Sequence, residues 1–227
     1  MHSSTDSKQR LHRVLIINVD PAQERPVDSV DALSTWQIST LYSLSAEGSV
    51  LQRGLEQRAA GYILYGPQTT LVLTTGNGVQ QFVLDPELGQ FLLTNDNLRI
   101  PQANKSYSVN EAYTSTFPRP YQEYLSWAHR EGYSSRYAGA MVADVHRTLL
   151  KGGVFLYPPT EKAPQGKLRL MYEANPMAMI IEQAGGLACA GTERILEIEP
   201  TALHQRCSVI LGSTEEVERV TSRLKHG

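Results

Sequence analysis

The segment from residue 59 to residue 94 constrains the fold most, because it has the pattern of short strands joined by tight turns. The runs GYILYG, TTLVLTT, VQQFVLD and QFLLT are rich in apolar and β-branched residues. Asn77-Gly78 is a dipeptide preferred in hairpin turns, and the residues from Asp85 to Gly89 supply a second turn signal. The pattern predicts an antiparallel meander.

Helical and strand patterns alternate after this meander. Residues 119–131 and 139–150 each carry an apolar stripe at helical spacing, and Gly152-Gly153 ends the second one. The runs VFLYP and CSVILGS are typical of short buried strands. The sum predicts an α/β fold, more closely described as α+β, with a mixed sheet and flanking helices.

The stretch GKLRLMYEANPMAMIIEQAGG, residues 166–186, places charged residues within an apolar run. The alternation predicts a strand that projects Lys167, Arg169 and Glu173 from one face. Asn175 is a favourable N-cap for the helix that the next apolar residues predict. Charge in a strand is costly to bury unless it is paired or functional, and ligands of open α/β sheets bind at the carboxyl ends of strands. The end of this strand is therefore a candidate site.

Composition and charge exclude several classes of partner. A net charge of −2 gives no general affinity for nucleic acid or for an anionic membrane, and no apolar run is long enough to span a bilayer. Residues 1–10 are polar and have no apolar signal-peptide region, so we expect a disordered tail there. Cys189 and Cys207 lack the spacing of a metal or redox site and suit buried thiols in a reducing compartment. We therefore expect a cytoplasmic protein.

Several hydrogen-bond donors lie in four short segments. They are Asn110, Tyr113, Arg136, Tyr137, Tyr157 and Lys167. A phosphate group needs such donors together with positive charge, whereas a carboxylate such as that of Glu173 suits a hard divalent cation. The two kinds of group together would suit a phosphoester site.

Several of these residues also have a purely structural explanation. Lys167 and Arg169 fit a solvated strand face, and the tyrosines fit the edge of a core. Glu173 could pair with a cation or compensate the charge of a helix N-terminus. Residue type and spacing leave both explanations open.

Six segments carry a resemblance to a known family. They are AAGYILYGPQTTLVLTTGNGV, FVLDPELGQFLLT, YSVNEAY, SRYAGAMVADVHRTLLKGGVFLYP, GKLRLMYEANPMAMIIEQAGG and HQRCSVILGS. In this order, across roughly residues 57 to 217, the chain resembles the carboxyl-terminal, sugar-binding half of class 1 fructose-1,6-bisphosphatase. The resemblance implies the fold of that family. It also implies that residues 11–58 are a remnant of the amino-terminal metal-binding region and that residues 59–227 are the sugar-phosphate-binding domain.

The resemblance implies substrate-binding roles. The positions that match the family's 6-phosphate ligands are Asn110, Tyr113, Tyr137 and Tyr157. Lys167 matches a lysine that contacts the sugar and its 6-phosphate, and Met141 matches a residue that lines the sugar pocket. Arg136 matches an arginine that the family lends to the site of a neighbouring subunit, which implies a homo-oligomer.

The metal-binding part of the pattern is incomplete. Glu173 matches a ligand of the catalytic magnesium ions, and the family motif DPLDGSS has its best counterpart in DPAQERP, which begins at Asp20. In this counterpart Gln23 replaces the second aspartate, and the Gly-Ser-Ser is missing. The resemblance therefore implies catalytic and metal-binding roles for Asp20 and Glu173, with Mg²⁺ bound weakly or not at all.

Two functions follow from the resemblance. The first is hydrolysis of the 1-phosphate of fructose 1,6-bisphosphate, in gluconeogenesis or Calvin-type carbon metabolism, weakened or lost because metal ligands are missing. The alternative is a non-catalytic protein that holds a sugar phosphate, either fructose 1,6-bisphosphate or fructose 6-phosphate, or that associates with a full-length phosphatase. Neither function involves nucleic acid or a membrane.

Overall fold

The computed structural model describes residues 14–19, 36–43 and 51–226 of the chain. The strands are β1 (Val14–Val19), β2 (Trp36–Ser43), β3 (Gln57–Leu64), β4 (Thr70–Thr74), β5 (Gln80–Asp85), β6 (Gln90–Asn95), β7 (Ser106–Ser108), β8 (Ser134–Ser135), β9 (Val154–Tyr157), β10 (Leu168–Arg169), β11 (Leu187–Ala190), β12 (Glu193–Arg194), β13 (Arg206–Cys207) and β14 (Val209–Gly212). The α-helices are α1 (Arg119–Arg130), α2 (Met141–Lys151), α3 (Asn175–Gln183) and α4 (Thr214–His226).

The first sheet confirms the predicted meander. Its order is β1-β2-β3-β4-β5-β6, and every neighbouring pair is antiparallel. Asn77-Gly78 lies in the connection between β4 and β5, where Gly76 and Gly78 both adopt positive φ angles. The Thr74 hydroxyl closes this connection by donating to the Gly78 carbonyl at 2.6 Å. Local turn chemistry therefore accounts for the path of these strands.

The second sheet is the predicted mixed sheet. Its order is β12-β11-β14-β9-β7-β8, with β7 parallel to both β8 and β9 and the other pairs antiparallel. It is buried on both faces, because alternate residues of β9 enter two different hydrophobic clusters. Phe155 belongs to one cluster, and Val154 and Leu156 belong to the other.

The helices complete a layered arrangement. Helices α2 and α3 pack between the two sheets, whereas α1 and α4 pack on the other face of the second sheet. The predicted stripe of α1 is confirmed, since Tyr121, Tyr124, Leu125 and Ala128 are all buried. The layers of the described residues are therefore helix, sheet, helix and sheet.

Gly153 permits the close approach of β7 and β9. It has φ +102°, and a Cβ atom at this position would overlap the carbonyl oxygen of Ser106. Its N–H group donates to the Ser213 hydroxyl at 3.0 Å, and this hydroxyl donates in turn to the Pro101 carbonyl at 2.6 Å. Only glycine fits here, because both the backbone angle and the space exclude a side chain.

The strand predicted across residues 167–173 is mostly wrong. Strand β10 contains only two residues and pairs with β13, and Leu170–Ala174 form a π-helical turn that leads directly into α3. Asn175 is the first residue of this helix rather than its N-cap. The turn forms because the Glu173 carboxylate accepts the Arg169 N–H at 2.7 Å, a contact between residues four apart that a strand cannot make. Lys167, Arg169 and Glu173 therefore do not lie on one strand face.

None of the helices within residues 14–19, 36–43 and 51–226 is both long enough and apolar enough to cross a bilayer.

Leu149→Ala tests the layered packing. The Leu149 side chain is fully buried between the sheets, whereas the adjacent Leu150 is 36% exposed. We expect Leu149→Ala to lower the free energy of unfolding by about 2–5 kcal/mol, because it removes buried apolar surface and leaves a cavity. The control Leu150→Ala should lower it by about 1 kcal/mol or less. Urea denaturation measures both, and equal losses would contradict the position of α2.

Candidate functional site

A pocket brings four of the predicted phosphate-binding residues together. The empty space between its lining residues is about 330 Å³ and includes open solvent. Its lining consists of Val109, Asn110, Tyr113, Phe117, Leu156, Tyr157, Pro158, Thr160 and Lys167. Polar groups therefore meet an apolar wall, as in most sites that orient a small ligand.

The sheet explains why these residues meet. Strands β7 and β9 are parallel neighbours, so their carboxyl ends lie at the same edge of the second sheet. Asn110 follows the end of β7, and Tyr157 is the last residue of β9. A 3₁₀ helix, Glu111–Thr116, then carries Tyr113 over the same edge.

Lys167 supplies the positive charge of the pocket. Its ammonium nitrogen lies 5.3 Å from the centre of the Tyr113 ring, which is cation–π distance. Tyr113 is 47% exposed and Lys167 is exposed as well, so the charge stands at the mouth of the pocket. A cation in this position remains hydrated and available to an anion.

Tyr137 approaches the pocket from the loop between β8 and α2. Its hydroxyl lies close to the side chains of Asn110, Tyr157 and Tyr113. Burial, followed by the nearby Tyr157, raises the pKa of Tyr137 above its ordinary value. The hydroxyl therefore keeps its proton at neutral pH and can donate to an anion. Asn110 can donate too, because its carbonyl oxygen already accepts the Ala112 N–H at 3.1 Å.

Arg136 and Met141 lie outside the lining of this pocket. The Arg136 side chain is exposed, and its guanidinium donates to the Ser135 carbonyl at 3.1 Å. Met141 begins α2 and packs in the core between the sheets. The substrate-binding roles that the resemblance implies for these two residues stay predictions.

Glu173 lies apart from the pocket lining, in the turn before α3. It is only 5% exposed, and its carboxylate contacts both the N–H of Arg169 and, at 3.7 Å, the guanidinium of the same residue. Its predicted partner, Asp20, lies outside the described residues. Within the described part of the chain, no group of three or more histidine, cysteine, aspartate or glutamate side chains could hold a metal ion.

A second polar cluster stabilises the 3₁₀ helix. Sequence analysis did not identify this cluster. The Tyr107 hydroxyl donates to Glu111 at 2.8 Å and lies 2.8 Å from Nε2 of His129, which is itself 3.0 Å from the other Glu111 oxygen. Burial, and then the hydrogen bond to Glu111, raise the pKa of Tyr107 to about 12. The cluster ties the 3₁₀ helix to β7 and α1. Glu111 is apparent in the sequence as the charged residue of SVNEAY. Residue 129 is too distant in sequence for any local pattern to link it with Glu111.

Sequence analysis also missed the apolar wall and Thr160. Pro158 and Thr160 could have been suggested by their position just after β9, because residues that follow a strand end lie at the same sheet edge. Val109 and Phe117 gave no such signal, since a core position explains them equally well.

Comparison with known protein families identifies two matches. The profile described as "Fructose-1-6-bisphosphatase, C-terminal domain" matches residues 100–225, and the profile described as "Fructose-1-6-bisphosphatase, N-terminal domain" matches residues 29–96. The division of the chain at residues 58 and 59 stays a prediction.

Similar proteins include several named fructose-1,6-bisphosphatase class 1. The one from Synechococcus sp. (strain JA-2-3B'a(2-13)) is 57% identical over 172 residues, which cover 75% of this chain and 52% of that protein. The one from Cytophaga hutchinsonii is 54% identical over 176 residues, which cover 75% of this chain and 51% of that protein. The chain therefore spans about half the length of these curated relatives.

Solved structures of Leishmania major fructose-1,6-bisphosphatase have the same fold. The holo form superposes with a TM-score of 0.85 at 40% sequence identity and covers 92% of this chain and 68% of its own. The T-state form gives a TM-score of 0.86 at 39% identity and covers 94% and 70%.

Tyr107→Phe tests the cluster beneath the 3₁₀ helix. We expect it to lower the free energy of unfolding at pH 7 by about 1 kcal/mol, because one hydroxyl and its hydrogen bonds are lost. The pKa of Tyr107 rises from 10.0 to about 12 on folding, so its contribution is complete below pH 10 and declines as the pH approaches 12. The difference in the free energy of unfolding between Tyr107→Phe and wild type should therefore become smaller above pH 10.

Denaturant titrations at pH 7 and at two or three alkaline pH values measure this difference. Tyr113→Phe, which removes the hydroxyl of a half-exposed ring, is the matched control and should lower stability less at pH 7. A Tyr107→Phe difference that stayed constant up to about pH 11 would contradict the proposed contribution of the hydroxyl.

Proposed function

Because this chain belongs to the fructose-1,6-bisphosphatase class 1 family, we propose that it binds a sugar phosphate in the pocket at the ends of β7 and β9. The ligand is fructose 1,6-bisphosphate or its product, fructose 6-phosphate. The observation that carries the proposal is the meeting of Lys167 with the donors Asn110, Tyr113 and Tyr157 in one lining.

The chemistry of the lining supports a phosphate rather than a neutral ligand. One lysine provides charge, and the tyrosine hydroxyls and the Asn110 amide provide directional donors around it. Tyr137 adds another donor next to Asn110. The apolar wall of Val109, Phe117 and Leu156 excludes water from one side, which strengthens the polar interactions on the other.

Hydrolysis of the 1-phosphate of fructose 1,6-bisphosphate is the activity that membership in this family suggests. Asp20 and Glu173 are the carboxylates that we propose for Mg²⁺ and catalysis. The described residues do not form a complete magnesium site, because Glu173 is already held by Arg169 and no cluster of three ligands surrounds it within the described ranges.

The second candidate is a non-catalytic sugar-phosphate-binding protein. It is favoured by the contrast between a pocket that brings four predicted ligand-binding residues together and a carboxylate set that the described residues do not complete. We further propose that the exposed Arg136 serves a neighbouring subunit, in a homo-oligomer or in a mixed oligomer with a full-length phosphatase. Light scattering measures the oligomeric state of the chain, both alone and mixed with the full-length phosphatase. A monomer at all concentrations in both samples would contradict the proposed role of Arg136.

The free thiols of Cys189 and Cys207 support a reducing compartment such as the cytoplasm. A disulfide between them in protein isolated from cells under non-reducing conditions would oppose this location.

Lys167→Met tests the proposed binding. Calorimetric titration with fructose 6-phosphate should give saturable binding to the wild-type chain. The substitution should weaken it roughly 10- to 100-fold, because a hydrogen bond to a charged group contributes about 1.5–3 kcal/mol. Lys162→Met is the matched control, since Lys162 is an exposed lysine of the same loop that does not line the pocket. Equal affinities for the three proteins would overturn the site.

Phosphate release separates the two candidate functions. Fructose 1,6-bisphosphate is supplied to the wild-type chain with Mg²⁺ or Mn²⁺, and inorganic phosphate is measured over time. Metal-dependent release that Glu173→Gln abolishes would establish hydrolysis. Binding of fructose 6-phosphate without release would establish the non-catalytic function.

A further inference from the structure

Asp144 is a buried carboxylate that none of the site assignments includes. It lies in the first turn of α2 and is 2% exposed. One carboxylate oxygen accepts the Ala138 N–H at 2.9 Å, and the other accepts the Gly139 N–H at 3.2 Å. Both oxygens therefore bind the backbone of the loop that precedes the helix.

The loop in question is residues 134–140, here called the Tyr137 loop. Its first half is fixed by backbone hydrogen bonds from Ser134 to Lys105 at 2.9 Å and from Arg136 to Tyr107 at 2.8 Å. Its second half is exposed, and Gly139 adopts φ +81°. In this second half, the Asp144 carboxylate accepts the N–H groups of Ala138 and Gly139, and the Ala140 carbonyl accepts the Asp144 N–H at 3.0 Å.

Burying a carboxylate is costly, so its hydrogen bonds need to be specific. Burial raises the pKa of Asp144, whereas the N–H groups of Ala138 and Gly139, the Ser108 hydroxyl and the nearby Arg147 guanidinium oppose that rise. The position at the amino end of α2 also favours a negative charge. The loop that the carboxylate holds thus contributes to the stabilisation of its anionic form.

We propose that Asp144 is a positioning residue of the sugar-phosphate pocket, whose carboxylate fixes the Tyr137 loop so that the Tyr137 hydroxyl lies beside Asn110. Asp144 does not line the pocket and does not touch the ligand. The inference rests on the proposed function, because it assigns Asp144 an effect on sugar-phosphate affinity through Tyr137.

Asp144→Asn is the direct test, because it keeps the size of the side chain and replaces one acceptor oxygen with an NH₂ group that cannot accept from an N–H. Thr148→Val is the matched control. The Thr148 hydroxyl is buried in the same helix and donates to the main-chain carbonyl of Asp144 at 2.9 Å, so its loss weakens α2 without releasing the loop. Urea denaturation of both variants compares their stability.

The expected result is a double-mutant cycle with strong coupling. Asp144→Asn should weaken fructose 6-phosphate binding about tenfold, and Thr148→Val should leave it within about twofold of wild type. Tyr137→Phe should weaken binding in the wild-type background but have little further effect in the Asp144→Asn background, because the hydroxyl is already misplaced there. A merely structural Asp144 would leave the two effects additive, and additivity overturns the proposal.

Two further measurements distinguish failure of the proposed function from failure of the role proposed for Asp144. If the wild-type chain binds no fructose 6-phosphate, the proposed function fails, and hydrogen exchange of the Ala138 and Gly139 amides then tests the loop alone. Faster exchange in Asp144→Asn but not in Thr148→Val supports the anchoring, and equal exchange overturns it.

If Asp144→Asn does not fold, Gly139→Ala strains the same loop at an exposed position with φ +81° and should reduce the effect of Tyr137→Phe in the same way.

Discussion

The parallel pairing of β7 with β9 is the constraint on which the rest of the described structure depends. It exists only because residue 153 has no side chain, which lets its backbone approach the Ser106 carbonyl. The pairing places both strands inside the edges of a sheet that is buried on both faces. It also brings Asn110 and Tyr157 to one edge, so the same backbone contact organises both the core and the pocket.

The pocket combines little charge with many neutral donors. Lys167 is the cation of its lining, and the remaining polar groups are hydroxyls and one amide. Two of the neutral donors are held from outside the pocket: Asn110 by Ala112, and Tyr113 through the 3₁₀ helix that Glu111 anchors. Such preorganisation lowers the entropy that a ligand must overcome on binding. The supporting contacts therefore matter as much as the lining.

Local patterns predicted the elements that local chemistry determines. The meander around Asn77-Gly78 and the buried stripe of α1 are confirmed, because turn preference and helical periodicity are properties of neighbouring residues. The strand predicted from Leu170 to Glu173 was wrong. These residues are all buried, so the structure lacks the alternation of a strand, and the Glu173 carboxylate binds the backbone four residues earlier. The resemblance named the donors of the pocket, but their meeting depends on strand order, and Asp144 gave no periodic signal at all.

The two sheets also differ in how far apart their strands lie along the chain. Strands of the meander pair with the next strand in sequence. Strand β9, in contrast, pairs with β7, which precedes α1 and α2, and with β14, which follows α3. Pairings between distant segments require larger loops to close and therefore form more slowly. The pocket belongs to the slow part, because both of its strand ends come from the second sheet. The meander is favoured as the early structure of this chain, and the pocket is a late product of its folding.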